Sequence, residues 1–118
     1  MEPQPSPINS ASGKAIWPTV LESLAAGDHP TTEEEQRLLA AIFTARNAAG
    51  IAKYGVPLQV HNGRSALLDL LQEAVDAVAY SRQVYERSHD LDDLELHRTA
   101  VDFTILVVRR LLREEEAW

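Results

Sequence analysis

The chain of 118 residues has no cysteine, only five glycines, and 11 lysines and arginines against 18 aspartates and glutamates. The lack of cysteine excludes a disulfide framework and a thiolate metal site. The formal net charge of −7 argues against a nucleic-acid-binding protein, because such proteins need a cationic surface. The sequence has no apolar run of the ~18 residues that a membrane span requires, and its start lacks the pattern of a secretory signal. The composition indicates a small acidic cytoplasmic domain whose metal chemistry would use oxygen or imidazole ligands.

Helical periodicity dominates what is present, and no alternating strand pattern persists, so we predict an all-α fold. Residues 1–14 are rich in proline and serine and predict a disordered leader. A single all-α domain is expected over residues 15–118. It begins with a short helix over residues 15–26 that has Pro18 in its first turn.

A stronger helix start follows at Thr32. Thr32 and Glu35 have the spacing of a capping box, in which each side chain binds the backbone amide of the other residue. Apolar residues then recur at helical spacing, and we expect this helix to end near Gly50. Glycine and proline in residues 51–62 predict a loop.

Two further helices are predicted beyond this loop. The first runs to about Ser88 with Asn62 as its N-cap, and the second runs from about Leu91 to about Arg113. Residues 100–108 of the second helix are apolar on most of its circumference. A helix of this kind must be surrounded, so we predict that both helices self-associate into a bundle completed by a second copy.

Carboxylates interrupt these apolar helices at regular positions. Asp69, Glu73 and Asp76, called here the acidic stripe, are followed by Tyr80 at the same helical spacing. Like charges at this spacing repel by about 0.2–0.5 kcal/mol per pair. Asp102 lies within the most apolar run of the last helix. Buried carboxylates are costly unless they are paired, protonated or bound to metal.

The expected helical hairpins bring these carboxylates to one level. A turn near residue 90 places Asp76 opposite Asp102, and a turn near residue 55 places Glu35 opposite Asp76, with Glu34 nearby. The arrangement predicts an inward-facing group of acidic oxygens from three helices. Mg²⁺ and Mn²⁺ prefer such ligands.

Plainer interpretations stay open at each position. The acidic stripe could be a solvated face, and Glu34 a surface charge favoured by the helix dipole. Glu35 could serve only in the capping box. Asp102 could be neutralised by Arg98 or by an arginine of a partner chain.

The step Glu73-Ala-Val-Asp76 resembles the ExxD helix of the MazG-like all-α nucleoside triphosphate pyrophosphohydrolases. The resemblance covers about residues 32–112 and extends to small phage proteins of the MazZ type, which hydrolyse purine deoxynucleoside triphosphates. The segments that carry it are Lys53-Tyr54-Gly55, Pro57-Leu58, Asn62-Gly63-Arg64, and then Asp69, Glu73, Asp76 and Tyr80.

The match leaves two registers for the metal ligands. In the first, the glutamates at 34–35 take the place of the family's ExxE-type motif, although its last glutamate is missing. In the second, Glu73 and Asp76 take that place, and Thr99 with Asp102 takes the place of the ExxD motif. Both registers make Glu73 and Asp76 ligands.

The resemblance implies metal-dependent hydrolysis of a purine deoxynucleoside triphosphate, with dGTP favoured over dATP, to the monophosphate and pyrophosphate. It implies a homo-oligomer, either a dimer or a dimer of dimers, that uses two or more Mg²⁺ or Mn²⁺ ions. The expected location is the cytoplasm, which is the host cytoplasm if the protein is phage-encoded. The expected catalytic residues are Glu35, Glu73 and Asp76; the expected metal ligands are Glu34, Glu35, Glu73, Asp76 and Asp102; the expected substrate contacts are Lys53, Asn62, Arg64, Asp69 and Tyr80.

Two other functions are compatible with the residues. The chain could be a helical interaction protein whose carboxylates pair with arginines across a dimer, or a nucleotide-binding regulator without turnover. Metal-dependent release of pyrophosphate distinguishes the enzyme from both.

Overall fold

A computed structural model describes residues 3–8, 10 and 13–116 of the chain. It contains the helices α1 (Trp17–Ala25), α2 (Glu33–Tyr54), α3 (Ala66–Ser88) and α4 (Leu91–Glu116). Among the described residues, extended pairing is limited to an isolated antiparallel bridge between Ala15 and Gln59. The prediction of an all-α fold is confirmed. The chain divides into two compact units, Met1–Arg64 and Ser65–Trp118, which we call the first and second units.

Helix α1 forms where the sequence predicts it and packs on α2 within the first unit. Pro18 occupies its first turn, where a missing backbone N–H is tolerated. Beyond its end, Gly27 adopts a positive φ of 76°. The Trp17 ring lies 5.4 Å from the Phe43 ring between centroids. Leu24 is the buried residue of α1, and its carbonyl accepts a hydrogen bond from the Gln36 side chain.

Helix α2 begins with the predicted capping box. The Thr32 hydroxyl accepts from the Glu35 backbone N–H at 3.1 Å, and the Glu35 carboxylate accepts from the Thr32 N–H at 2.7 Å. The predicted end near Gly50 is wrong, because the helix continues to Tyr54 and Gly55 caps it with a φ of 81°. A helix tolerates one interior glycine at a cost of about 1 kcal/mol, and the residues around Gly50 are good helix formers.

The segment after α2 is tied to residues of the predicted leader. Backbone hydrogen bonds join Ile16 to Leu58 and Val60 to Lys14, both at 2.8–2.9 Å. The Ile8 N–H donates to the Asn62 carbonyl at 2.8 Å. Ile8 and Lys14 of the predicted leader therefore have defined partners in the structure, while the disorder of residues 1–14 stays a prediction. Five of the leader positions, 1, 2, 9, 11 and 12, lie outside the described residues.

Helices α3 and α4 form an antiparallel hairpin in the second unit. Ser65, and not Asn62 as predicted, is the N-cap of α3, and its hydroxyl accepts from the Leu68 N–H at 3.2 Å. Serine is as effective a cap as asparagine, so the cap pattern did not discriminate between these positions. His89 ends α3 in the left-handed region with a φ of 53°, and α4 begins at Leu91 as predicted.

The hairpin leaves much of its apolar surface uncovered. Ala74 and Val107 are its buried hydrophobic residues among those described, at 1% and 4% exposure. Large hydrophobic residues are exposed along both helices: Leu70, Val75, Val84, Leu91, Leu96, Phe103, Ile105, Leu106, Val108 and Leu112. Two helices cannot enclose such a surface between them.

No helix in the described part of the chain is both long enough and apolar enough to cross a membrane.

Candidate functional site

The acidic stripe lies on the side of α3 that faces away from α4. Ala74 and Ser81, the buried residues of α3, mark the side that packs on α4. At 3.6 residues per turn, Glu73 and Asp76 point to a different side of the helix, and both are exposed. Neither carboxylate has a hydrogen bond or an ion pair with any residue that the structure describes.

Two side-chain contacts fix how α3 and α4 are aligned. Ser81 Oγ lies 3.0 Å from His97 Nδ1, and the Thr104 hydroxyl lies 3.3 Å from the Ala74 carbonyl. In both contacts the two residue numbers add to 178, so position 76 is level with position 102. The predicted alignment of these two positions is confirmed.

Within the hairpin, Asp76 and Asp102 do not face the contact between α3 and α4, and their inward orientation in a bundle completed by a second copy stays a prediction. Both residues are exposed, while Thr104 and Val107 mark the side of α4 that packs on α3. Small and apolar residues fill the contact between the helices, so the carboxylates remain outside it. Within the described residues, no group of three or more histidines, aspartates and glutamates is arranged to hold a metal ion.

Asp69, at the start of the acidic stripe, and Tyr80, which follows it, differ in exposure. Asp69 is half-buried in the first turn of α3, where the helix dipole favours a negative charge. Tyr80, four residues beyond Asp76, is 65% exposed. Because α3 is continuous over these positions, the acidic stripe and Tyr80 form one line along it, as predicted.

Glu34 and Glu35 belong to the first unit, at the start of α2. Glu34 is exposed. Hydrogen bonds from the backbone N–H and the side chain of Thr32 hold the pKa of Glu35 below its usual value. Glu35 is therefore ionised and engaged in helix capping, which is the plainer of its two predicted roles.

Three expected substrate contacts lie in or near the segment that follows α2. Lys53 and Asn62 line the same cavity of about 330 Å³ in the first unit. The Lys53 ammonium lies 5.1 Å from the centroid of the Tyr54 ring. The Arg64 side chain donates to the Pro5 carbonyl, and its backbone N–H donates to Asn62 Oδ1 at 3.2 Å. Arg64 thus supports the loop and the leader.

Two further residues of this cavity were not predicted from the sequence. Arg46 precedes Lys53 by seven residues on α2, and this spacing places both cations on one side of the helix. Gln59 also lines the cavity, is 5% exposed, and has a buried Oε1 without a hydrogen-bond partner. The seven-residue spacing was a usable signal for Arg46, whereas nothing in the loop sequence marks Gln59 as buried.

Comparison of the chain with protein-family models, with curated proteins and with solved structures finds no match in any of the three.

Proposed function

We propose that the chain is a metal-dependent nucleoside triphosphate pyrophosphohydrolase that acts on purine deoxynucleoside triphosphates, with dGTP favoured. One observation carries the proposal. Glu73 and Asp76 lie one turn apart on an exposed side of α3, without a cation or a hydrogen-bond donor from the described residues. Carboxylates at this spacing repel each other, and a divalent cation removes that repulsion.

The donor set fits Mg²⁺ or Mn²⁺, because carboxylate oxygens are the ligands that these ions prefer. Glu73 and Asp76 are the central ligands, and Asp102, Glu34 and Glu35 are the further candidates. When bound, two or more such ions would neutralise charge on the phosphates and supply an activated water.

The chain's own residues have separate tasks in the proposed reaction. Water is added across the bond between the α- and β-phosphates, and the products are the monophosphate and pyrophosphate. Either Glu35 or Asp69 would orient the water. The Glu35 carboxylate accepts a hydrogen bond from the Thr32 N–H, and the hydrogen bonds from Thr32 lower the pKa of Glu35. Lys53 and Arg64 supply positive charge for the phosphates.

We further propose that the protein works as a cytoplasmic homo-oligomer, dimer or dimer of dimers, associated through α3 and α4. The support is the apolar surface of the hairpin, which includes a groove of about 350 Å³ lined by Val75, Val78, Ile105 and Val108. Leu106, 60% exposed, is the best position for a test. Leu106→Glu should shift the molar mass measured by light scattering to that of the monomer, whereas Thr99→Glu on the same helix should not.

The activity is tested by incubating the protein with each common NTP and dNTP in Mn²⁺ and separating the products by chromatography. We expect pyrophosphate and a monophosphate, most rapidly from dGTP, and none in EDTA. Release of inorganic phosphate alone, or no product from any nucleotide, would contradict the proposal.

Two substitutions separate the enzyme from the alternatives. Glu73→Gln should abolish turnover while the helical circular dichroism is retained, and Glu95→Gln, at an exposed position of α4, should retain turnover. A helical interaction protein would show no turnover before or after substitution. A nucleotide-binding regulator would bind nucleotide with metal and release no product.

A further inference from the structure

The first unit contains a cavity that the acidic stripe does not contribute to. It lies beside the C-terminal half of α2, has a volume of about 330 Å³, and is bordered by the segment around Pro57 and Leu58. Trp17 from α1 and Ile8 from the leader complete its apolar wall. This volume is at the lower end of the range for small-molecule sites, about 300–1,000 Å³.

The charge of this cavity is of one sign. Arg46 and Lys53 both line it, and no aspartate or glutamate is present among its described lining residues. Neither cation has an ion pair with a described residue. The net charge of the protein is −7, but at this cavity two cations lie together without a carboxylate among the described lining residues. The cavity therefore favours an anion.

The rest of the cavity wall favours an anion that carries a planar, largely apolar ring. Trp17, Pro57 and Leu58 present apolar surface, and Tyr54 adds a second aromatic ring. Aromatic and apolar side chains stack on planar rings, and cations at the edge of such a slot bind phosphate. Gln59 adds a polar residue to the wall.

We propose that this cavity binds a purine nucleotide, with the base against the apolar wall and a phosphate facing Arg46 and Lys53. The choice of a nucleotide among ring-bearing anions rests on the proposed function. The cavity itself lacks a carboxylate among its described residues, so binding here needs no divalent cation.

Trp17 provides the measurement. The chain has two tryptophans, and Trp118→Phe leaves Trp17 as the single tryptophan, which is excited selectively over the tyrosines at the long-wavelength edge of the absorption band. In EDTA, dGMP should quench Trp17 fluorescence in a saturable manner. The double substitution Arg46→Gln with Lys53→Gln should weaken dGMP binding about tenfold, as expected for the loss of two exposed charge contacts. It should leave the weaker binding of deoxyguanosine unchanged.

Arg37→Gln is the matched control, because Arg37 is an exposed cation of α2 that does not line the cavity. It should leave dGMP binding unchanged. Equal weakening by Arg37→Gln, or quenching by inorganic pyrophosphate as strong as by dGMP, would overturn the proposal.

The outcomes also separate this proposal from the proposed enzymatic activity. Saturable quenching without hydrolysis of any nucleotide would leave the cavity as a nucleotide site and refute the activity. Hydrolysis with a KM that Arg46→Gln alone does not change, and no quenching by dGMP, would refute the cavity and leave the activity, because Arg46 has no part in the proposed reaction.

Discussion

Glu73→Gln should stabilise the protein without metal and should remove its stabilisation by Mn²⁺. Glu73 has Asp69 four residues before it and Asp76 three residues after it on α3. Each such pair of like charges costs about 0.2–0.5 kcal/mol, so neutralising Glu73 should gain about 0.4–1 kcal/mol. Asp76→Asn relieves one pair and should gain about half as much. Glutamine and glutamate have similar helix propensities, so the backbone contributes little to the difference.

Thermal melts at one fixed protein concentration give the measurement. A gain of this size should raise the Tm of the metal-free variant by about 2–4 °C. Mn²⁺ at 100 times its Kd should stabilise the wild-type protein by about 2.7 kcal/mol, several times the gain from removing the charge. The order of stability of the two proteins should therefore reverse when Mn²⁺ is added.

Glu95→Gln is the control for this experiment. Glu95 is exposed on α4, with Asp92 three residues before it and Arg98 three residues after it. Its removal loses one repulsion and one attraction of similar size, so the Tm should change little with or without Mn²⁺. An unchanged or lower Tm for metal-free Glu73→Gln, or an equal Mn²⁺ response in both proteins, would refute our reasoning about the acidic stripe.

Three further substitutions test local features. Thr32→Ala should cost about 1 kcal/mol in urea unfolding by loss of the α2 cap. Thr32 also lowers the pKa of Glu35, so the stability from this contact is present above the usual pKa of 4.5 and is lost as the pH falls through the lowered value. Thr32→Ala should therefore flatten the acid limb of a stability–pH profile. Ser81→Ala should cost about 1 kcal/mol in the same assay, because it removes the bond to His97 between α3 and α4. Gly63→Ala should cost about 1–2 kcal/mol, because Gly63 has a φ of 78°, and unchanged stability would show that the loop relaxes.

Local sequence patterns predicted the features that depend on a few neighbouring residues. The capping box of Thr32 and Glu35 and the turn before Leu91 were correct, because hydrogen bonds within one turn determine them. The position of the turn between α3 and α4 also determines that Asp76 lies level with Asp102. The end of α2 was predicted wrongly, because Gly50 has the residue type of a helix end but lies within the helix.

The orientation of the carboxylates and the formation of the cavity could not be predicted from such local patterns. Whether Asp76 points toward α4 depends on which side of α3 packs, and Ala74 and Ser81 decide this through their small size. The cavity joins Ile8, Trp17 and Leu58, which are far apart in the sequence and share no periodic pattern. Such contacts follow from tertiary packing, which periodicity does not encode.

The scarcity of buried apolar side chains has a thermodynamic consequence. Leu24, Ala74 and Val107 are the buried hydrophobic residues among those described. Unfolding changes the heat capacity in proportion to the apolar surface that it transfers to water. A separated chain should therefore unfold over a wide temperature range with a small heat-capacity increment. In the homo-oligomer that we propose, the larger heat-capacity increment should accompany the association of copies, so a calorimeter would detect assembly more strongly than the formation of the helices.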